Sequence, residues 1–123
     1  MASKTSPNRS TSPQRFPVHI RSMAGELRSA ERDYIRRKLG MKLGKHAGAV
    51  ERCSVRLKDE NGPRGGVDQL CRIKVAMRGL PSVVFESRNA VLKAAVDTAL
   101  SGVERAVRRT VQRRRMKPLR RSG

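Results

Sequence analysis

The sequence predicts a two-layer α+β fold of order β-α-β-β-β-α, with a four-stranded sheet and two helices on one of its faces. Three observations predict it. Three runs alternate apolar and polar residues with period two, as half-buried strands do, and a fourth, Val83-Val84-Phe85, is a short apolar run. Two longer stretches carry apolar residues at helical spacing. Turn-forming residues separate the runs where connections are needed. Two helices laid on the apolar face of the sheet would hide all of these apolar surfaces at once.

The first strand runs from Phe16 to Ile20, where Phe16, Val18 and Ile20 alternate with Pro17, His19 and Arg21. Pro17 has no N–H to give a ladder, which places it at a strand start or on an edge. From Leu27 to Lys45 the period lengthens. Leu27, Ala30, Tyr34, Ile35, Leu39 and Leu43 fall on one stripe, and Arg28, Arg32, Arg36, Arg37, Lys38, Lys42 and Lys45 lie mostly off it. Gly44 or Gly48 is expected to end this helix. Cys53, Val55 and Leu57 then alternate with basic and polar residues, and so do Val67, Cys71, Ile73, Val75 and Met77. The turn formers from Asp59 to Gly66 join these runs into a hairpin with one apolar and one basic face, the latter carrying Arg52, Arg56, Arg72, Lys74 and Arg78. A hairpin centred near Gly62 sets Cys53 and Cys71 about opposite each other in the core. They read as packing residues or a redox pair, and packing is the expected role because a free cysteine behaves as a small hydrophobe. Gly79-Leu80-Pro81 makes a tight connection to a fourth strand at Val83, Val84 and Phe85. Asn89 is the expected N-cap of a second helix running from about Ala90 to beyond Val111. Its stripe is Leu92, Val96, Ala99, Leu100, Val103, Val107 and Val111, and Pro118 is expected to end it.

The length of 123 residues fits one domain over residues 16–113. A Ser-, Thr- and Pro-rich basic arm (1–15) with nothing to bury precedes it, and a basic tail (114–123) follows. Lys and Arg number 29 against 10 Asp and Glu, a net charge of +19. Self-repulsion of that size opposes compaction unless a polyanion neutralises it. Nucleic acid is the polyanion that phosphate contacts through Lys and Arg would serve. An anionic membrane surface fits poorly, because both apolar stripes are needed for the core and Trp is absent. With Phe16, Tyr34 and Phe85 as the only aromatics, readout by base stacking is not expected, and phosphate and shape should dominate. No apolar stretch reaches bilayer length and none resembles a signal-peptide core, so a cytoplasmic location with free thiols is expected.

Nothing in the sequence arranges catalysis. His19 and His46 stand apart from any nucleophile, and Glu86 and Asp68 show no acid–base pairing. The loop Asn61-Gly62-Pro63-Arg64-Gly65-Gly66 lacks the Lys-Ser/Thr ending of a phosphate-binding loop, so it reads as a hairpin tip, with Arg64 a turn residue or an RNA contact. Cys53 and Cys71 have no zinc-ligand spacing. No enzyme activity, cofactor, metal or small-molecule substrate is expected. The candidate RNA-binding residues are Arg36, Arg37, Lys38 and Lys42 on the first helix, and Lys93, Arg105, Arg108, Arg109 and Arg113 on the second. Their sign selects them, since an ordinary exposed face intersperses acidic residues. From Glu104 to Gly123 there are nine basic residues and one acidic.

Three stretches are similar to a known family. Tyr34-Ile35-Arg36-Arg37-Lys38-Leu39-Gly40 is similar to the basic end of its first helix. Val55-Arg56-Leu57-Lys58-Asp59-Glu60-Asn61-Gly62-Pro63-Arg64-Gly65-Gly66-Val67-Asp68 resembles the hairpin of a divergent branch. Ala94-Ala95-Val96-Asp97 followed by Val103-Glu104-Arg105-Ala106-Val107 resembles its last helix. The chain thus resembles, over residues 18–115, the short form of the ribosome hibernation-promoting factor and ribosome-associated inhibitor family. The resemblance implies a partner, the small ribosomal subunit with its 16S-type rRNA. It implies a role in stress or stationary phase, occupying the channel of mRNA and tRNA so that translation is silenced. It matches Lys38, Arg105 and Arg109 to basic family positions. The sequence departs from the family at Lys93, where an aromatic residue is common, and at Gly102, where a basic one is. The competing reading is a non-specific binder of duplex RNA or DNA, whose fold also ends in three strands and a helix.

Overall fold

A computed structural model of the chain describes residues 16–23, 27–61 and 66–121. The expected N-terminal arm and the Arg64 loop tip lie outside the described residues. Strand β1 (Val18–Ser22) is followed by helix α1 (Ser29–Leu43), a 3₁₀ segment (Gly44–Ala49), strands β2 (Val50–Asn61), β3 (Val67–Met77) and β4 (Leu80–Asn89), and helix α2 (Leu92–Arg121). The sheet order is β1-β2-β3-β4, with β1 parallel to β2 through the α1 crossover and the other pairs antiparallel. The β-α-β-β-β-α order and its α+β architecture are those the residue periodicity predicts.

The core is the inward face of the sheet met by the two helical stripes. Val18, Cys53, Val55, Leu57, Cys71, Ile73 and Val75 come from the strands, Ile35, Leu39 and Leu43 from α1, and Val96, Ala99, Leu100, Val103 and Val107 from α2. Two positions depart from the expected α1 stripe. Ala30 is exposed, and Leu27 packs on the core from the segment before the helix. The helix begins at Ser29 because Glu31 accepts a hydrogen bond from the Arg28 backbone N–H (2.9 Å), satisfying a donor the first turn leaves open.

The central hairpin differs from expectation in register. Leu57 faces Cys71 and Cys53 faces Val75, so the hairpin centres two residues beyond Gly62 and the cysteines share a face without being opposite. Both remain free and buried. Strand β2 also extends into the expected loop, to Asn61, because Asp59 and Glu60 find partners on the sheet. Asp59 accepts from Gln69 Nε2 (2.7 Å), and Glu60 meets Arg88 (2.8 Å) and Lys58 (3.9 Å). The β3–β4 connection needs its glycine: Gly79 has φ +66°, in the left-handed region that a Cβ disfavours. Asn89 Oδ1 accepts from the Val91 N–H (2.9 Å), turning the chain into α2, whose first residue is Leu92 rather than Ala90. The helix continues through Pro118 to Arg121, contrary to the expected stop. A proline deletes one N–H donor, and one missing bond near a helix end does not force termination.

Gly102 marks a close approach of helix to sheet. A Cβ at this position would lie under 3.0 Å from three carbons of the Phe85 ring on β4. Only glycine lets α2 settle this deeply on the strand.

Candidate nucleic-acid interface

The nine candidate cations fall into three environments. The first surrounds Tyr34. Its phenol donates a 2.7 Å hydrogen bond to Asp97 Oδ1, tying α1 to α2. Around the ring stand Lys93 Nζ at 4.9 Å from its centre, Lys38 Nζ at 5.7 Å and the Arg37 guanidinium at 6.0 Å. A ring face attracts cations at these distances, so three positive side chains from two helices converge on one aromatic. The hydrogen bond to Asp97, then burial and the Asp97 charge, raise the phenol's pKa, while Arg37 opposes them. The phenol stays a neutral donor. Lys93, where the resembled family often has an aromatic, thus joins a cluster whose aromatic comes from the other helix.

The second environment is structural. Glu104 is buried on the apolar side of α2 and meets His46 Nε2 at 3.2 Å, Arg108 at 3.3 Å and Lys45 at 3.7 Å. Burial raises its pKa, but the hydrogen bond from His46 and the charges of Arg108, Lys45 and His46 outweigh that and hold it below the ordinary glutamate value. The cluster clamps the 3₁₀ segment to α2. Arg108 is therefore partly committed within the chain. Arg36 is committed too. It donates to the Val18 carbonyl (3.1 Å), as Arg32 does to the Ile20 carbonyl (3.4 Å). These carbonyls lie on the edge of β1, and the arginines occupy acceptors that another strand would otherwise pair.

The third environment is the outer face of α2. Arg105, Arg109 and Arg113 are exposed and recur every four residues, about 6 Å apart along the axis. None has a carboxylate partner among the described residues, nor has Lys42 on α1. Arg109 and Arg113, with Arg114, edge a groove of about 1100 Å³ floored by Leu80, Pro81, Val83 and Val84. Arg114 also donates to the Gly79 carbonyl (3.1 Å), which holds the β3–β4 turn against the helix.

Sequence reasoning missed the Tyr34–Asp97 tie, the Glu104 clamp and the edge contacts of Arg32 and Arg36. One signal was present for the clamp. Glu104 falls on the apolar stripe between Leu100 and Val107, a position where a charge has to find partners inside the fold. Among the described residues no group of His, Cys, Asp or Glu is arranged to hold a metal ion, and no helix is long and apolar enough to cross a membrane.

Solved structures share the architecture. The N-terminal domain of Protein Y from Thermus thermophilus superposes with a TM-score of 0.61 at 25% identity, covering 74% of this chain and 93% of that one. A ribosomal subunit interface protein from Coxiella burnetii superposes with a TM-score of 0.64 at 10% identity, covering 75% of this chain and 93% of that one, a likeness of fold. None of the curated proteins compared matches the sequence. The model of the family described as Sigma 54 modulation protein / S30EA ribosomal protein matches residues 18–115, the whole sheet and α2 as far as the outward arginines. The chain belongs to that ribosome-associated family.

Proposed function

We propose that the protein binds rRNA phosphates of the small ribosomal subunit through its helix layer and silences translation by filling the channel of mRNA and tRNA. The observation that carries this reading is the row Arg105, Arg109 and Arg113, which has no carboxylate partner among the described residues, on a chain of a ribosome-associated family. The Tyr34 cluster with Arg37, Lys38 and Lys93 extends the cationic surface across to α1. Silencing is steric and involves no chemistry, so no substrate or cofactor takes part. The protein acts in the cytoplasm, where ribosomes are.

Sucrose-gradient fractionation of a cell lysate tests the partner. Comigration with small subunits or whole ribosomes at moderate salt is expected, whereas spreading with free nucleic acid would favour the non-specific duplex binder. The surface is tested by Arg105→Gln with Arg109→Gln. Loss of two phosphate contacts should weaken binding to small subunits and lower the slope of log affinity against log salt by about 1.5 to 2. An unchanged affinity and slope would remove α2 from the interface.

A further inference from the structure

The sheet face turned away from the helices carries a second cationic surface. The strand register sets Arg21 of β1 beside Arg56 of β2, and Arg56 beside Arg72 of β3. All three are exposed, with strands about 4.8 Å apart. Lys74 stands on β3 one step along the same face, diagonal to Arg56. Only Arg72 in this group has a carboxylate, Glu86 at 3.1 Å. Arg21, Arg56 and Lys74 have none among the described residues. Like charges directly opposite across a ladder repel, and a sheet evolved only for solubility would pair them with acidic residues. Neighbouring ladder positions do so: Lys58 and Arg88 share Glu60. Arg21, Arg56 and Lys74 adjoin one another on the face.

We propose that this face is a second RNA-binding surface, and that the domain is gripped between two phosphate backbones, one on α2 and one on the sheet. The inference rests on RNA being the partner of the helix layer and adds a contact on the opposite side. A rigid two-layer domain with phosphate on both sides plugs a cleft between two RNA walls more firmly than one held from a single side. The Arg21–Arg56–Arg72 row carries no aromatic on which a base could stack, which favours phosphate over base as its ligand.

Arginine protection tests this on the full chain. The protein is treated with phenylglyoxal free and bound to isolated small subunits, and each arginine's reaction is read by mass spectrometry. Arg21 and Arg56 are expected to become protected together with Arg105 and Arg109. Protection of Arg105 and Arg109 alone would overturn the second surface and leave the helix interface standing. Protection of none would overturn both. Protection of Arg21 and Arg56 alone would remove the helix interface and with it the two-sided grip, overturning the inference. A second measurement identifies what covers the sheet. Arg21→Gln, Arg56→Gln and Lys74→Gln together should lower the salt slope of binding by about 2. Protection with no fall in slope would mean that protein rather than phosphate covers the face, and would overturn the inference equally. Circular dichroism of the triple variant, expected to match the parent, guards against misfolding.

Discussion

Replacing Gly102 by alanine should destabilise the protein, although the same change at most helix positions stabilises. Alanine in a helix interior is favoured over glycine by about 1 kcal/mol. Here the new methyl would lie under 3.0 Å from Cδ2, Cε2 and Cζ of Phe85, so either the ring or the helix has to move. Overpacking of this kind costs about 1–3 kcal/mol. The Phe85 ring is only half-buried and has some room to yield, which sets the cost inside that range rather than at its top. The net expectation is a loss of about 1 kcal/mol in urea denaturation, a lowering of Tm by about 4–8 °C for a domain of this size. The mechanism is isolated by the double-mutant cycle. In a Phe85→Ala background the clash is gone, so Gly102→Ala should become stabilising by about 1 kcal/mol. A stabilising effect in the parent, or the same effect in both backgrounds, would refute the close-approach argument. In this chain the position faces the Phe85 ring on β4, so it serves the packing of α2 on the sheet.

Two further outcomes follow from buried groups. Glu104 titrates below its ordinary value of 4.5 in the folded protein, so the clamp's stabilisation is fully present above that pH and is lost as pH falls through the lower folded value; Glu104→Gln should flatten the acid limb of a stability–pH curve measured by chemical denaturation, and an unaltered limb would mean that the clamp carries no pH-dependent stability. Cys53 and Cys71 are pushed up to about 12 by burial, with Cys71 adding to the shift at Cys53, so neither should react with a thiol reagent at pH 8 until denaturant opens the core; rapid labelling of the native protein would contradict their burial.

The fold was legible because the alternation of strands and the stripes of helices are local properties of the chain. The hairpin shows how far that goes. The expected centre at Gly62 is two residues short, yet Cys53, Val55, Leu57, Cys71, Ile73, Val75 and Met77 are all buried as expected, while Val50 and Leu70 join them unforeseen. Cys53 and Cys71 moved out of opposition without leaving the core. A whole-residue register error of odd size would have exposed Val55 and Ile73; an even one only re-pairs them. The loop was overestimated because Asp59 and Glu60 are turn formers by type, while their partners Gln69 and Arg88 are visible only once β3 and β4 are laid alongside. For the candidate site, charge selected the right class of residue and could not divide it. Tyr34 meets Asp97 across 63 positions and His46 meets Glu104 across 58, contacts that no window of sequence contains.

That division decides which charges are available to a partner. Four of the described carboxylates engage particular cations: Glu104 takes Lys45 and Arg108, Glu60 takes Lys58 and Arg88, Glu86 takes Arg72 and Glu51 takes Arg52. Arg36 and Arg114 spend hydrogen bonds on backbone carbonyls. On α2 the two kinds interleave within three turns. Arg108 bonds Glu104 on its own helix as part of the clamp, and Arg114 ties the helix to the β3–β4 turn, while Arg105, Arg109 and Arg113 are exposed with no carboxylate partner among the described residues. A helix evolved merely to keep the chain in solution has no reason to keep its structural cations and its unmatched ones distinct. A helix that has to stay rigid while presenting charge to an external polyanion does, because cations that fix the helix to the sheet cannot also turn outward to follow a phosphate backbone. Rigidity matters to the proposed role, since an object that blocks a channel by its volume alone fails if the channel can squeeze it aside. The clamp at Glu104 and the close contact of Gly102 with Phe85 are thus as much part of the proposed mechanism as the arginines proposed to meet RNA.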